Sequence, residues 1–176
     1  MRSICRCLRR YILATINFET ARDLSTHSLL IPTHPARLCV PIRLKSDTAV
    51  AAAMGRHFAR GAGLATVASA EVALVVSELA SNLVRHAGSG GTVELWLEAD
   101  WLVIRAQDRG PGMHHPEQLF AGRQGRPGPL PGESLGEGGP AIQRLTDAVH
   151  VHNREGGGLE VVARKRRQAL PRKDRW

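Results

Sequence analysis

Between residues 67 and 163 the apolar positions of this chain follow first a helical period, then strict alternation, then a short helical run and a second alternation. Three polar blocks punctuate these changes. Glu78-Leu79-Ala80-Ser81-Asn82 lies on the first helical run, and Asp108-Arg109-Gly110-Pro111-Gly112 closes the first alternating pair about 26 residues after Asn82. Gly136-Glu137-Gly138-Gly139 precedes the second, short apolar run. Alone, an E-x-x-x-N pair occurs on many helices and D-x-G-x-G marks many turns. In this order and spacing the three blocks point to one nucleotide site.

The periodicity predicts a short strand over residues 40–44 and then a helix capped by Ser46 or Asp47. That helix carries Val50, Met54 and Phe58 at four-residue spacing and stops at Gly61-Ala62-Gly63. A second helix over residues 67–87 aligns Val72, Val75 or Val76, Leu79 and Leu83 on an apolar stripe. Glu71, Glu78, Asn82 and Arg85 form the neighbouring stripe, and Gly88-Ser89-Gly90-Gly91 ends the helix. Val93, Leu95 and Leu97 then alternate with Glu94, Trp96 and Glu98, and Leu102, Ile104 and Ala106 repeat the pattern after Ala99-Asp100, predicting an antiparallel hairpin. From Gly110 to Gly139 the chain is crowded with Gly and Pro, too long for a plain connection and suited to a lid. A short helix over residues 140–148 and a second hairpin, 149–152 with 159–163 across Asn153 to Gly158, complete the pattern.

The length of 176 residues accommodates one domain with a sizeable core, and 43% apolar content with 4% aromatics suits Ala/Val/Leu packing. Residues 1–38 are expected to be a flexible N-terminal extension, 39–166 the folded domain and 167–176 a basic tail. The formal charge of +8 is concentrated at the ends. Six Arg oppose Glu19 and Asp23 in residues 1–39, and seven Lys or Arg oppose Asp174 in residues 164–176, leaving a slightly acidic centre. A nucleic-acid interface would place its basic charge on the folded face and interleave aromatics with it, so nucleic acid is disfavoured as a partner. Cys5, Cys7 and Cys39 form no disulfide framework, which fits a reduced, cytoplasmic setting. The apolar stretch at residues 11–18 is too short to span a bilayer, and no clean cleavage site follows it, so no membrane association is expected.

Four residues apart on a helix, Glu78 and Asn82 project in the same direction from adjacent turns. Asn82 offers a neutral carbonyl oxygen to a hard cation such as Mg²⁺, and Glu78 can take a proton from an attacking hydroxyl. Asp108 ends a strand and enters a turn whose glycines, Gly110 and Gly112, let backbone approach a flat ring. Its carboxylate suits the exocyclic amine of adenine. Gly136 and Gly138 precede a helix start, where free N–H groups and the helix dipole favour phosphate oxygens. No P-loop, dinucleotide-binding or protein-kinase motif is present, so the site needs another architecture. His114-His115 and the pair His150 and His152 lack companions at metal-ligand spacing, and no zinc is assigned.

Taken together, Val76 to Ala87, Asp108-Arg109-Gly110-Pro111-Gly112-Met113 and Pro140 to Asp147 resemble the histidine-kinase-like ATPase superfamily. Within it the chain is most similar to the bacterial anti-sigma regulatory serine kinases. The S-E-L-A-x-N block, the Pro of the third motif and the R-L-x-D after it place the resemblance in the RsbT-type branch, over about residues 40–166. The resemblance implies a two-layer α/β sandwich with helices on one face of a mixed, largely antiparallel sheet. It further implies ATP and Mg²⁺ as cofactors, Glu78 as the base, Asn82 as the Mg²⁺ ligand and Asp108 as the adenine contact. Gly110 and Gly112 fall at the ring-side turn, and Gly136 and Gly138 at the phosphates. One departure stands out: Glu137 and Gly139 occupy positions where the family commonly has leucines.

The implied activity is that of a cytoplasmic serine/threonine-protein kinase that phosphorylates a STAS-domain antagonist in a bacterial regulatory switch, with a sigma factor or a phosphatase as alternate partner. The alternative is a noncatalytic, nucleotide-responsive module acting by partner exchange, which the altered third glycine motif would favour. A sensor histidine kinase is disfavoured, because His27 and His34 lie near prolines rather than on an amphipathic helix.

Overall fold

The computed structural model describes residues 37–88, 90–120 and 138–167. Its elements are β1 (Arg37–Ile42), α1 (Lys45–Gly61), α2 (Thr66–His86), β2 (Gly91–Glu98), β3 (Trp101–Asp108), α3 (Gly138–Leu145), β4 (Ala148–Asn153) and β5 (Leu159–Arg166). A short 3-10 helix, Pro116–Phe120, follows β3. The strands order as β1-β2-β3-β5-β4 and every adjacent pair is antiparallel. The expected α/β layering is present, and the expected mixed sheet is wholly antiparallel in its pairings. Two helices between β1 and β2 return the chain to the end of the sheet it left, where Gly91 pairs with Ile42. The single helix α3 brings β4 back parallel to β3, and β5 inserts between those two, antiparallel to both.

Alternation sorts each strand into two faces. Val93 and Leu95 of β2, Leu102, Ile104 and Ala106 of β3, and Val161 and Ala163 of β5 are buried in the common core. They align across the sheet as Val93, Ala106 and Val161 in one row and Leu95, Ile104 and Ala163 in the next. Phe58 of α1 and Val72, Val75, Val76 and Leu79 of α2 pack into the same core. The two helices approach closely at Gly55, where a Cβ would stand 3.0 Å from Val76 Cγ2. Although α2 has the length and mean hydropathy (1.5) of a membrane span, its buried stripe is the centre of this core.

The ends of the elements differ from the sequence expectation for local reasons. β1 begins three residues earlier than predicted and ends two earlier, its end set by Leu44, which becomes the N-cap of α1. Neither Ser46 nor Asp47 occupies that cap position. Instead Asp47, in the first turn, reaches back with Oδ2 to accept the N–H groups of Arg43 and Leu44, each at 2.8 Å. These two backbone donors hold its carboxyl below the usual carboxylate range.

Much of the C-terminal basic run is engaged by the fold. Arg164 pairs with Glu98 at 3.3 Å, and Lys165 Nζ meets Glu71 Oε2 at 2.5 Å and donates to the Leu145 carbonyl at 2.9 Å. The Arg166 guanidinium lies over Trp101, 4.6 Å from the ring centroid. Arg167 Nε donates to the Ala62 carbonyl at 3.0 Å, in the turn between α1 and α2. An aromatic absent from this run in sequence is supplied across strands, where Trp101 lies opposite Arg166.

Candidate functional site

A cavity of about 310 Å³ opens between α2, the end of β3 and the start of β5. α2 contributes Leu79, Asn82, Leu83 and His86, which recur at three- and four-residue spacing and so share one face. Ala106 and Asp108 enter from β3, Leu159 and Val161 from β5. Pro111, Gly112 and Met113 form the loop wall, and Leu119 of the 3-10 helix closes the far side. The lining is largely apolar, with Asn82, His86 and Asp108 as its polar side chains, a composition suited to a flat ring carrying a few hydrogen-bonding groups.

Asp108 is fixed through one oxygen. Its Oδ1 accepts the Gly110 N–H at 2.7 Å and the Leu159 N–H at 3.2 Å, and its own carbonyl accepts Arg154 Nη1 at 2.6 Å. Oδ2 takes no hydrogen bond from the described residues, so an acceptor is left for a ligand's amine. Gly158 makes this packing possible: at φ +98°, a Cβ there would fall 2.2 Å from the Asp108 carbonyl oxygen.

Asn82 lines the cavity, and its Oδ1 accepts a long hydrogen bond, 3.4 Å, from Arg85 Nη2. Glu78 stands one turn earlier, outside the cavity lining and against the start of α3, where a Cβ on Gly138 would lie 2.5 Å from Glu78 Oε2. Thus Gly138 is brought to the α2 stripe, next to Glu78 rather than inside the cavity. Gly112 lines the cavity, and Gly110 packs against Asp108 Oδ1. Gly136, with Glu137, lies outside the described residues.

His86 was not singled out, although it follows Arg85 and stands four residues after Asn82, on the cavity face. Burial of the ring, reinforced by the neighbouring Arg85 charge, pushes its pKa below the ordinary histidine value. Asn153 and Arg154, which support the loop wall from outside, were also missed. They lie some 40 residues from their partners and carry no local sequence signal.

The departure at Gly139 has a steric cause. Gly139 is buried, and a Cβ there would stand only 1.7 Å from the Leu119 carbonyl oxygen. The 3-10 helix thus occupies the space a leucine at 139 would need, and its own Leu119 and Phe120 pack against the core.

The family model for the histidine kinase-like ATPase domain matches residues 41–165, a span that holds every site residue above. The chain belongs to the histidine kinase-like ATPase family. A curated relative, the serine/threonine-protein kinase RsbT of Bacillus subtilis, is 32% identical over 131 residues, covering 72% of this chain and 94% of that protein. Among solved structures, the SiaB–SiaC complex from Pseudomonas aeruginosa matches with a TM-score of 0.52 at 15% identity, over 73% of this chain and 87% of the matched chain. This likeness supports the shared histidine kinase-like ATPase fold.

The cavity fits the adenine nucleotide that membership of this family implies, since it pairs apolar walls with the open acceptor of Asp108. Mg²⁺ fits only as part of a nucleotide complex. Among the described residues no group of three or more His, Cys, Asp or Glu side chains could hold it, and Asn82 offers a single neutral oxygen. Such a cation keeps several waters and takes its remaining ligands from phosphates.

Proposed function

We propose that this protein is a cytoplasmic serine/threonine-protein kinase that binds Mg-ATP and phosphorylates a STAS-type antagonist protein. The observation that carries the reading is the placement of Asn82 and Asp108 in one cavity, with Glu78 one helical turn away on the same α2 stripe. The name of the RsbT relative and its near-complete coverage support the protein-kinase class. When bound, Mg-ATP supplies the transferable phosphoryl group and the cation that offsets its charge. Asp108 accepts the base's exocyclic amine, with Gly110 and Gly112 allowing close approach of the loop. Asn82 would hold Mg²⁺ through its carbonyl oxygen, Gly136 and Gly138 would meet the phosphates, and Glu78 would take the proton of the acceptor hydroxyl.

A protein substrate also finds footing beside Glu78. Val67 and Leu74, 71% and 56% exposed, share the α2 stripe with Glu71 and Glu78, so two exposed apolar side chains stand on the face that leads to the base. A sigma factor or a phosphatase is the expected alternate partner.

The deciding experiment is calorimetric titration of the full chain with a nonhydrolysable ATP analogue, with and without Mg²⁺, followed by assay of Glu78→Ala with ATP. Saturable Mg²⁺-dependent binding, with transfer lost in Glu78→Ala while ATP is retained, is the expected result. Binding without any transfer to a STAS-domain substrate would favour the noncatalytic module, and no binding at millimolar analogue would remove the nucleotide reading.

A further inference from the structure

The turn between β4 and β5 grips the ring-side loop from outside the cavity. Asn153, the last residue of β4, uses both ends of its side-chain amide on one residue: Oδ1 accepts the Met113 N–H at 2.9 Å and Nδ2 donates to the Met113 carbonyl at 2.7 Å. An adjacent strand would present the same donor and acceptor pair to Met113. At the other end of the loop, Arg154 Nη1 and the Leu159 N–H hold Asp108.

The middle of the loop has few other ties. Among the described residues, positions 109–114 make no backbone–backbone hydrogen bond, and the loop is tied besides the Asn153 pair by the Gly110 N–H donating to Asp108 Oδ1. Gly112 has φ +76°, and a Cβ there would stand 2.6 Å from Asn153 Oδ1. The glycine therefore serves both the turn and the approach of the asparagine. Gly112 and Met113 line the cavity, whereas Asn153 does not.

We propose that Asn153 is a positioning residue for nucleotide binding: its amide clamps Met113 and holds Gly112 and Met113 in the shape that forms the ring-side wall. This rests on the nucleotide reading of the cavity given above. The clamp lowers the cost of ordering the loop when a ring enters, so its loss appears in affinity rather than in global stability. Asn153 is half of a two-bond contact, which makes partial substitution informative. Aspartate retains the acceptor for Met113 N–H and removes the donor to its carbonyl.

The test compares the full chain, Asn153→Ala and Asn153→Asp by titration with a nonhydrolysable ATP analogue in Mg²⁺, by amide hydrogen exchange at Met113 and by thermal melting. Asn153→Ala is expected to raise the dissociation constant by about tenfold or more, the scale of two lost hydrogen bonds, and to speed exchange at Met113 with little change in Tm. Asn153→Asp should also weaken binding, because its second carboxylate oxygen faces the Met113 carbonyl in place of a donor. Gly112→Ala should weaken binding in the unsubstituted chain and weaken it less in the Asn153→Ala background, where the oxygen it meets is gone. Asn153→Ala that binds the analogue as the unsubstituted chain does would overturn the proposal. So would losses in affinity that follow the loss of Tm across both variants, which would make Asn153 a fold residue only. Failure of the unsubstituted chain to bind the analogue would remove the nucleotide reading and this inference with it, an outcome distinct from equal binding by chain and variant.

Discussion

Asp108 anchors the turn through one oxygen: Oδ1 accepts from Gly110 and Leu159, while Oδ2 takes no hydrogen bond from the described residues. Asp108→Asn preserves an acceptor for those N–H groups but replaces the free oxygen with a donor. It is expected to weaken adenine-nucleotide binding by about tenfold to a hundredfold while lowering Tm little, measured by calorimetry and thermal melting. An unchanged dissociation constant would remove Asp108 as the base contact. Gly139 yields a less intuitive prediction. Restoring the leucine that the family resemblance leads one to expect should destabilise the protein, since the added side chain runs into the Leu119 carbonyl. The cost expected for such overpacking is about 1–3 kcal/mol, read as a Tm lower by several degrees. A Gly139→Leu protein with raised Tm would show that the 3-10 helix yields easily.

Among the elements, α1 depends on a cap that comes from inside the helix. Asp47 holds two N–H groups ahead of the helix start, and Asp47→Ala should cost about 0.5–1 kcal/mol at neutral pH, limited by the exposure of the group. Because its carboxyl titrates lower in the fold than in the unfolded chain, the contribution is full above the ordinary carboxylate pKa and is lost as pH falls through the folded value. Melting profiles of Asp47→Ala and the unsubstituted chain should therefore converge in acid, and parallel profiles would contradict the assignment. The stripes of α2 and the alternation of β2 and β3 were legible in sequence because each repeats its pattern over several turns or pleats. The start of α1 was not, since any of several polar residues near Leu44 offered a plausible cap. The 3-10 helix was hidden by the Gly- and Pro-rich stretch around it. Of the candidate site, Asn82, Asp108 and Gly112 lay in recognisable local blocks and do line one cavity. The Asn153 clamp joins residues 40 apart and exists only once β4 is placed at the edge of the sheet.

Across the described fold, the sheet separates a cavity face from one that carries a ladder of ion pairs. Ala106, Asp108, Leu159 and Val161 enter the cavity on the helix side, whereas their chain neighbours Arg105 and Glu160 belong to the opposite face. There a ladder takes one residue from each strand in spatial order: Arg37, Glu94, Arg105, Glu160 and His152. Arg105 is its centre. It pairs with Glu94, lies 3.8 Å from Glu160 and sits over Trp96, whose ring is also within 4.7 Å of the Arg37 guanidinium. Side chains this far from full exposure are screened less than a surface pair, and removing the central cation leaves two carboxylates, each under one-fifth exposed, without their shared partner. Arg105→Ala should therefore cost about 1–3 kcal/mol and shift Trp96 fluorescence as the stacked cation is lost. Its affinity for the ATP analogue should stay that of the unsubstituted chain, because the cavity lies through the sheet. Lower affinity at unchanged Tm would show that the two faces communicate; lower Tm at unchanged affinity would show that the ladder stabilises the sheet without shaping the site.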